Sequence, residues 1–117
     1  MPAFVSGPAN FTDLEVGESL YLFNAETLTA PQASIAFSRA YSPSGMDAGI
    51  TFQMFYAASP TAVLIIQGSN DGVNWINLYT SNNEQSDNYT DNTRWAFYRA
   101  YLSSQSGGGA VTVLAQR

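Results

Sequence analysis

The 117-residue chain has no cysteine, no histidine and no lysine. Without thiols or imidazoles it can build no disulfide framework, no thiolate nucleophile and no zinc-finger ligand set, and cysteine usage marks no redox compartment. Charge is scarce as well, at 11% of residues against about 25% in an ordinary soluble domain. Four arginines (Arg39, Arg94, Arg99 and Arg117) stand against nine carboxylates, for a net charge of −5. That balance repels a phosphate backbone and leaves no basic patch, so nucleic acid is not an expected partner. The longest purely apolar runs, such as Ala62–Ile66, fall far short of the roughly 18 residues of a membrane span, so no membrane partner is expected. Met1-Pro2-Ala3-Phe4-Val5 has neither a positive n-region nor a long apolar h-region, which sets the expectation that no secretory signal is used.

What is present is an ordinary apolar fraction, 45%, with 16 aromatics made up of 7 Phe, 7 Tyr and 2 Trp. A single domain of this size buries roughly two-thirds of its unfolded surface, enough for a core without staples. Apolar residues repeat with period two nearly everywhere, and no segment keeps a helical stripe. Strands are expected at Ser19–Phe23, extended back to Leu14 and Val16 if the pattern holds, and at Ala33–Tyr41, Ile50–Ala57, Thr61–Gly68, Asn74–Thr80, Arg94–Leu102 and Ala110–Ala115. Thr61–Gly68 is apolar on both faces and should be central in its sheet. Asn70-Asp71-Gly72 supplies the positive-φ positions of a hairpin connection, with Asp71 capping the turn through its own side chain. The polar segment from Ser81 to Thr93 reads as a surface excursion. The expected fold is all-β, a two-sheet antiparallel sandwich of jelly-roll type with about seven or eight short strands. Residues 1–18 read as an N-terminal arm and lead-in, and 19–117 as the single sandwich domain.

No catalytic set stands out. A general acid or base would have to come from Asp, Glu or Tyr, and the carboxylates are scattered, mostly beside turns. Glu84, Asp87, Asn88, Asp91 and Asn92 are hard oxygen donors of the kind calcium selects, but they match no fixed loop pattern, and neither a metal nor another cofactor is expected. Trp75, Trp95, Phe97, Tyr98 and Tyr101 suit either a sugar-stacking platform or the sandwich core, and the plainer reading is that Trp75 and one face of Arg94–Leu102 fill the core. The strands at 50–57 and 94–102 carry apolar residues on both sides, where a solvated sheet face would alternate to polar. Something should therefore cover the second face. Depletion of Lys with enrichment of Tyr, Trp, Phe and Arg is what contact cores show. Arg99, beside Tyr98 and Tyr101, is the natural anchor for a carboxylate or an aromatic ring of a neighbour, with a partner inside the chain as the equal alternative.

The segment Ile66-Gln67-Gly68-Ser69-Asn70-Asp71-Gly72-Val73-Asn74-Trp75, followed by Tyr98-Arg99-Ala100-Tyr101-Leu102, resembles the SxDGxxW…YxRxxL signature of discoidin-type β-sandwiches. It is similar also to segments of small virion proteins of tailed bacteriophages, both head-decoration and fibre-associated. The resemblance implies a jelly-roll-like sandwich with Trp75 packed behind the Asp71-Gly72 hairpin and Arg99 on the partner strand. It implies, further, a non-enzymatic capsid decoration or cement protein on the virion exterior, made in the host cytoplasm. Such a protein would bind the major capsid protein or another virion protein as a homo-oligomer, a trimer by preference. The contact residues expected are Phe4, Val5, Phe55, Tyr98, Arg99 and Tyr101. The alternative is a carbohydrate-binding module or receptor-binding fibre or tail component that takes a glycan. A hydrolase with paired carboxylates is a third class.

Overall fold

Strict alternation forms the strand Ile50–Tyr56: Ile50, Phe52, Met54 and Tyr56 are buried while Thr51, Gln53 and Phe55 are exposed. The same logic builds most of the molecule. The computed structural model describes residues 11–39, 49–57, 62–82, 85–105 and 109–117, and among these it has nine strands and no helix. They are β1 (Thr12–Leu14), β2 (Ser19–Thr27), β3 (Gln32–Arg39), β4 (Ile50–Tyr56), β5 (Val63–Ser69), β6 (Ile76–Asn82), β7 (Ser86–Asp91), β8 (Phe97–Ser104) and β9 (Ala110–Gln116). One sheet has the order β1-β3-β8-β5-β6 and the other β2-β9-β4-β7.

Four nested antiparallel pairs explain both sheets: β5 with β6, β4 with β7, β3 with β8 and β2 with β9. The chain is one long hairpin with its tip at residues 70–75, rolled so that successive pairs fall in alternate sheets. The pairings β5–β8 and β4–β9 then knit the pairs together. This is the jelly-roll winding, and it covers both faces of the core with strands alone among the described residues. β5 has β8 on one side and β6 on the other, so it is central as its two apolar faces require.

The core lies between the sheets and includes Phe37, Phe52, Tyr56, Ile66, Tyr98, Leu102, Val111 and Val113, all fully buried. Side chains of this size each contribute about 1.5–3 kcal/mol on burial. Phe52 is surrounded by rings, with centroids 6.2 Å from Phe37, 5.7 Å from Tyr98 and 6.4 Å from Tyr89. Gly68 is needed at its place for a steric reason. A Cβ there would lie 2.7 Å from Cγ of Trp95 and 2.9 Å from Cδ1 of Leu78.

Four expectations need correction. The segment from Ser81 to Thr93 is not a loop throughout: it contains the end of β6 and the whole of β7, which pairs with β4 from Ile50↔Asp91 to Phe55↔Ser86. The lead-in contributes β1, whose Thr12–Leu14 pair in parallel with Phe37–Arg39 and bury Leu14, so the sandwich begins before residue 19. Alternation fails in β3, where a register shift between Ala33 and Ala36 leaves Ile35 exposed although Phe37 is buried. Trp95 precedes β8 rather than belonging to it, because Arg94 takes a positive φ of 63° that interrupts the extended chain.

Candidate functional site

Two polar clusters stand out, one inside the sandwich and one on its outer face. The inner one is built on Asp91, the last residue of β7 and almost wholly buried. Its carboxylate accepts hydrogen bonds from Tyr98 Oη at 2.6 Å, Tyr89 Oη at 2.8 Å, Thr93 Oγ1 at 2.8 Å and Thr93 N at 3.2 Å. Tyr98 Oη in turn accepts the Trp95 amide at 3.0 Å. Burial pushes the Asp91 carboxyl up, but the hydrogen bonds together outweigh it and hold the group below the usual carboxylate range. Burial, reinforced by Asp91, pushes the Tyr89 phenol up to about 12 and raises that of Tyr98 further. Beside this cluster Tyr79 stacks on Tyr89 with centroids 4.9 Å apart and donates to Asp87 at 2.5 Å.

The outer cluster lies across the five-stranded sheet. Register places Asn77 of β6 opposite Gln67 of β5, and Gln67 opposite Arg99 of β8. The three side chains form a hydrogen-bonded row: Arg99 Nε donates to Gln67 Oε1 at 2.7 Å, and Gln67 Nε2 donates to Asn77 Oδ1 at 2.8 Å. The 70–75 loop then brings Trp75 against the row, with the guanidinium carbon 4.4 Å from the indole centroid and 5.8 Å from that of Tyr101. Phe11 extends the patch, 4.9 Å from Phe97 and 6.4 Å from Trp75. Burial pulls the Arg99 guanidinium down from its ordinary value, opposed by Tyr101.

That loop is held by Asp71. Its Oδ1 accepts from Val73 N and Asn74 N, each at 2.8 Å, and from Ser69 Oγ at 2.9 Å, while Oδ2 accepts Asn74 Nδ2 at 2.8 Å. The backbone bonds, from Asn74 first, hold this carboxyl far below the ordinary carboxylate range. Gly72 has φ 76°, and Asn70 Oδ1 accepts the Ala96 amide at 3.1 Å. The turn assignment of Asn70, Asp71 and Gly72 therefore stands, although the connection spans six residues rather than a tight pair.

The contact candidates separate. Arg99 and Tyr101 are half-buried on the outer face of one sheet, and Phe55 is exposed on the opposite face of the molecule with Tyr21, Gln53, Thr112 and Leu114 around it. Tyr98 is not available for contact: it is fully buried, and its ring stacks 5.6 Å from Phe37. Trp75 is likewise not a core residue but half-exposed at the sheet surface. Phe4 and Val5 lie outside the described residues. The residues missed are Gln67, which pairs across strands with Arg99, and Asn77, which pairs with Gln67; Asp91, expected as a calcium-type oxygen donor, instead shares one strand face with Tyr89 and accepts from its hydroxyl.

The Asp carboxylates among the described residues are engaged: Asp13 accepts from Ser38, and Asp71, Asp87 and Asp91 are committed as above. No group of three acidic, histidine or cysteine side chains able to hold a metal occurs among the described residues. No helix there is long and apolar enough to cross a membrane. Comparison with family models, curated proteins and solved structures finds no match to this chain.

Proposed function

We propose that this chain is a non-enzymatic structural protein of a bacteriophage particle, a decoration or cement protein that docks on the assembled shell. The observation that carries this reading is the outer face of the five-stranded sheet, where a positioned arginine and half-exposed aromatic rings occupy a surface that ordinarily turns polar toward water. A chain without lysine and with few charges desolvates such a face at low cost, since hydroxyls and amides find hydrogen-bond partners in the contact. Arg99, Tyr101 and Trp75 form the contact to the shell. Phe55, on the opposite sheet, meets a neighbouring copy in a homo-oligomer, with a trimer as the expected state. Phe4 and Val5 remain the proposed N-terminal contacts.

Carbohydrate binding in a fibre or tail component is the second reading. It draws on the half-exposed indole of Trp75 beside the amides of Gln67 and Asn77. Against it, the Arg99 guanidinium lies over one face of that indole, where a pyranose would stack. The test is co-sedimentation of the purified chain with shells of the particle. Saturable pelleting that free sugars do not compete supports docking, and no pelleting, or competition by sugars, contradicts it.

A further inference from the structure

The Arg99 guanidinium is a fork with one prong occupied. Nε is tied to Gln67 Oε1, and Gln67 cannot turn its amide over without breaking its own bond to Asn77 and presenting NH₂ to the cation. The indole of Trp75 packs against the group, its centroid 4.4 Å from Cζ, and limits how far the guanidinium can swing. Among the described residues neither Nη atom makes a hydrogen bond, and neither is among the buried unpartnered atoms, so both face outward from that part of the chain. Among the described residues no carboxylate acts on the guanidinium, and Tyr101 is the ionisable neighbour that influences it. Arg39 differs, donating from Nε to Trp95 O and from Nη2 to Arg94 O, and Arg117 donates to Leu14 O. Those two clip backbone together, whereas Arg99 holds an oriented pair of donors toward the outside.

We propose that the Nη1–Nη2 edge of Arg99 is the receptor for one carboxylate, an Asp or Glu side chain or a chain terminus of the docking partner, seated beside Trp75 and Tyr101. The identity of the partner rests on the docking reading, while the carboxylate chemistry rests on the fork alone. Two parallel N–H···O bonds from a planar fork match a carboxylate, and they compensate a cation already partly stripped of water. A neutral amide offers one acceptor and no charge. A multiply charged phosphate would meet a protein of net charge −5.

The experiment is NMR titration of the full chain, following the Arg99 Nε–H and Trp75 indole N–H signals. The probes are acetate, acetamide, chloride and inorganic phosphate at equal ionic strength. The expected result is a saturable shift with acetate alone, weakened about tenfold in Arg99→Lys, which keeps the charge but loses the fork. No shift with acetate, an equal shift with chloride or acetamide, or tighter binding of phosphate overturns the inference. Shells that bind wild type and Arg99→Lys alike, without an acetate response, overturn it and leave docking intact. An acetate response with no shell binding leaves the carboxylate site and overturns docking.

Discussion

Asp91 and Arg99 sit in the same sandwich and are treated in opposite ways. Asp91 is buried and receives four hydrogen bonds, so its charge is answered from within the chain. Arg99 is half-buried and has its Nε answered by Gln67, while its Nη pair has no hydrogen-bond partner among the described residues. A buried polar network that is complete fixes a fold, because removing any member leaves the others unsatisfied. One left incomplete at the surface is suited to a second molecule. The difference separates what holds this protein together from what it offers.

The largest expected effect breaks the inner cluster. Asp91→Ala leaves two tyrosine hydroxyls and Thr93 without their acceptor, and should cost roughly 3 kcal/mol or more, read as a lower urea midpoint at unchanged slope. Its pH signature follows from the direction of the shifts. The Asp91 carboxyl is depressed in the folded state, so its contribution is complete above the unfolded pKa, near 4, and is lost as pH falls through the folded value. Asp91→Asn should flatten that acid limb. The raised tyrosines act at the other end: their contribution is complete below about pH 10, and that of Tyr89 is lost as pH rises through about 12. A loss of stability on the alkaline side that Tyr89→Phe and Tyr98→Phe leave unchanged would contradict this.

Gly68→Ala comes next. The new methyl meets the root of the Trp95 ring and Leu78 at less than contact distance, and overpacking of this kind costs about 1–3 kcal/mol. Thermal unfolding measures it, and a neutral result would mean that Trp95 is not wedged against β5.

Arg99→Gln should have the smallest effect on stability, about 1 kcal/mol, since it removes a cation–π contact at a half-buried site while the new amide can still donate to Gln67 Oε1 in place of Nε. If its urea midpoint falls as far as that of Asp91→Ala, the distinction between the two clusters is void.

Much of the fold was legible because its strands bury one face. Ile50–Tyr56 alternates without error, and Asp71-Gly72 marks the tip around which the whole hairpin rolls. β7 was not legible. Ser86, Asn88 and Thr90 face outward while Asp87, Tyr89 and Asp91 face inward, so polar residues fall on both sides and periodicity vanishes. Its inward carboxylates are tolerated only because tyrosines from β6, β7 and β8 reach them. The site was half legible. Arg99 and Tyr101 were found by their strand, but Trp75 was assigned to the core by its size, whereas the six-residue loop places it on the outer face. Which strand lies beside which is a long-range fact, and the Asn77–Gln67–Arg99 row depends on it.

Occupancy of assembled shells by wild type and Arg99→Gln, measured by co-sedimentation with both proteins checked for equal urea midpoints, tests the central claim most directly. The account predicts saturable decoration by the wild type and a loss of at least about tenfold in affinity for the variant. Equal decoration by the two, or none by either, would contradict it.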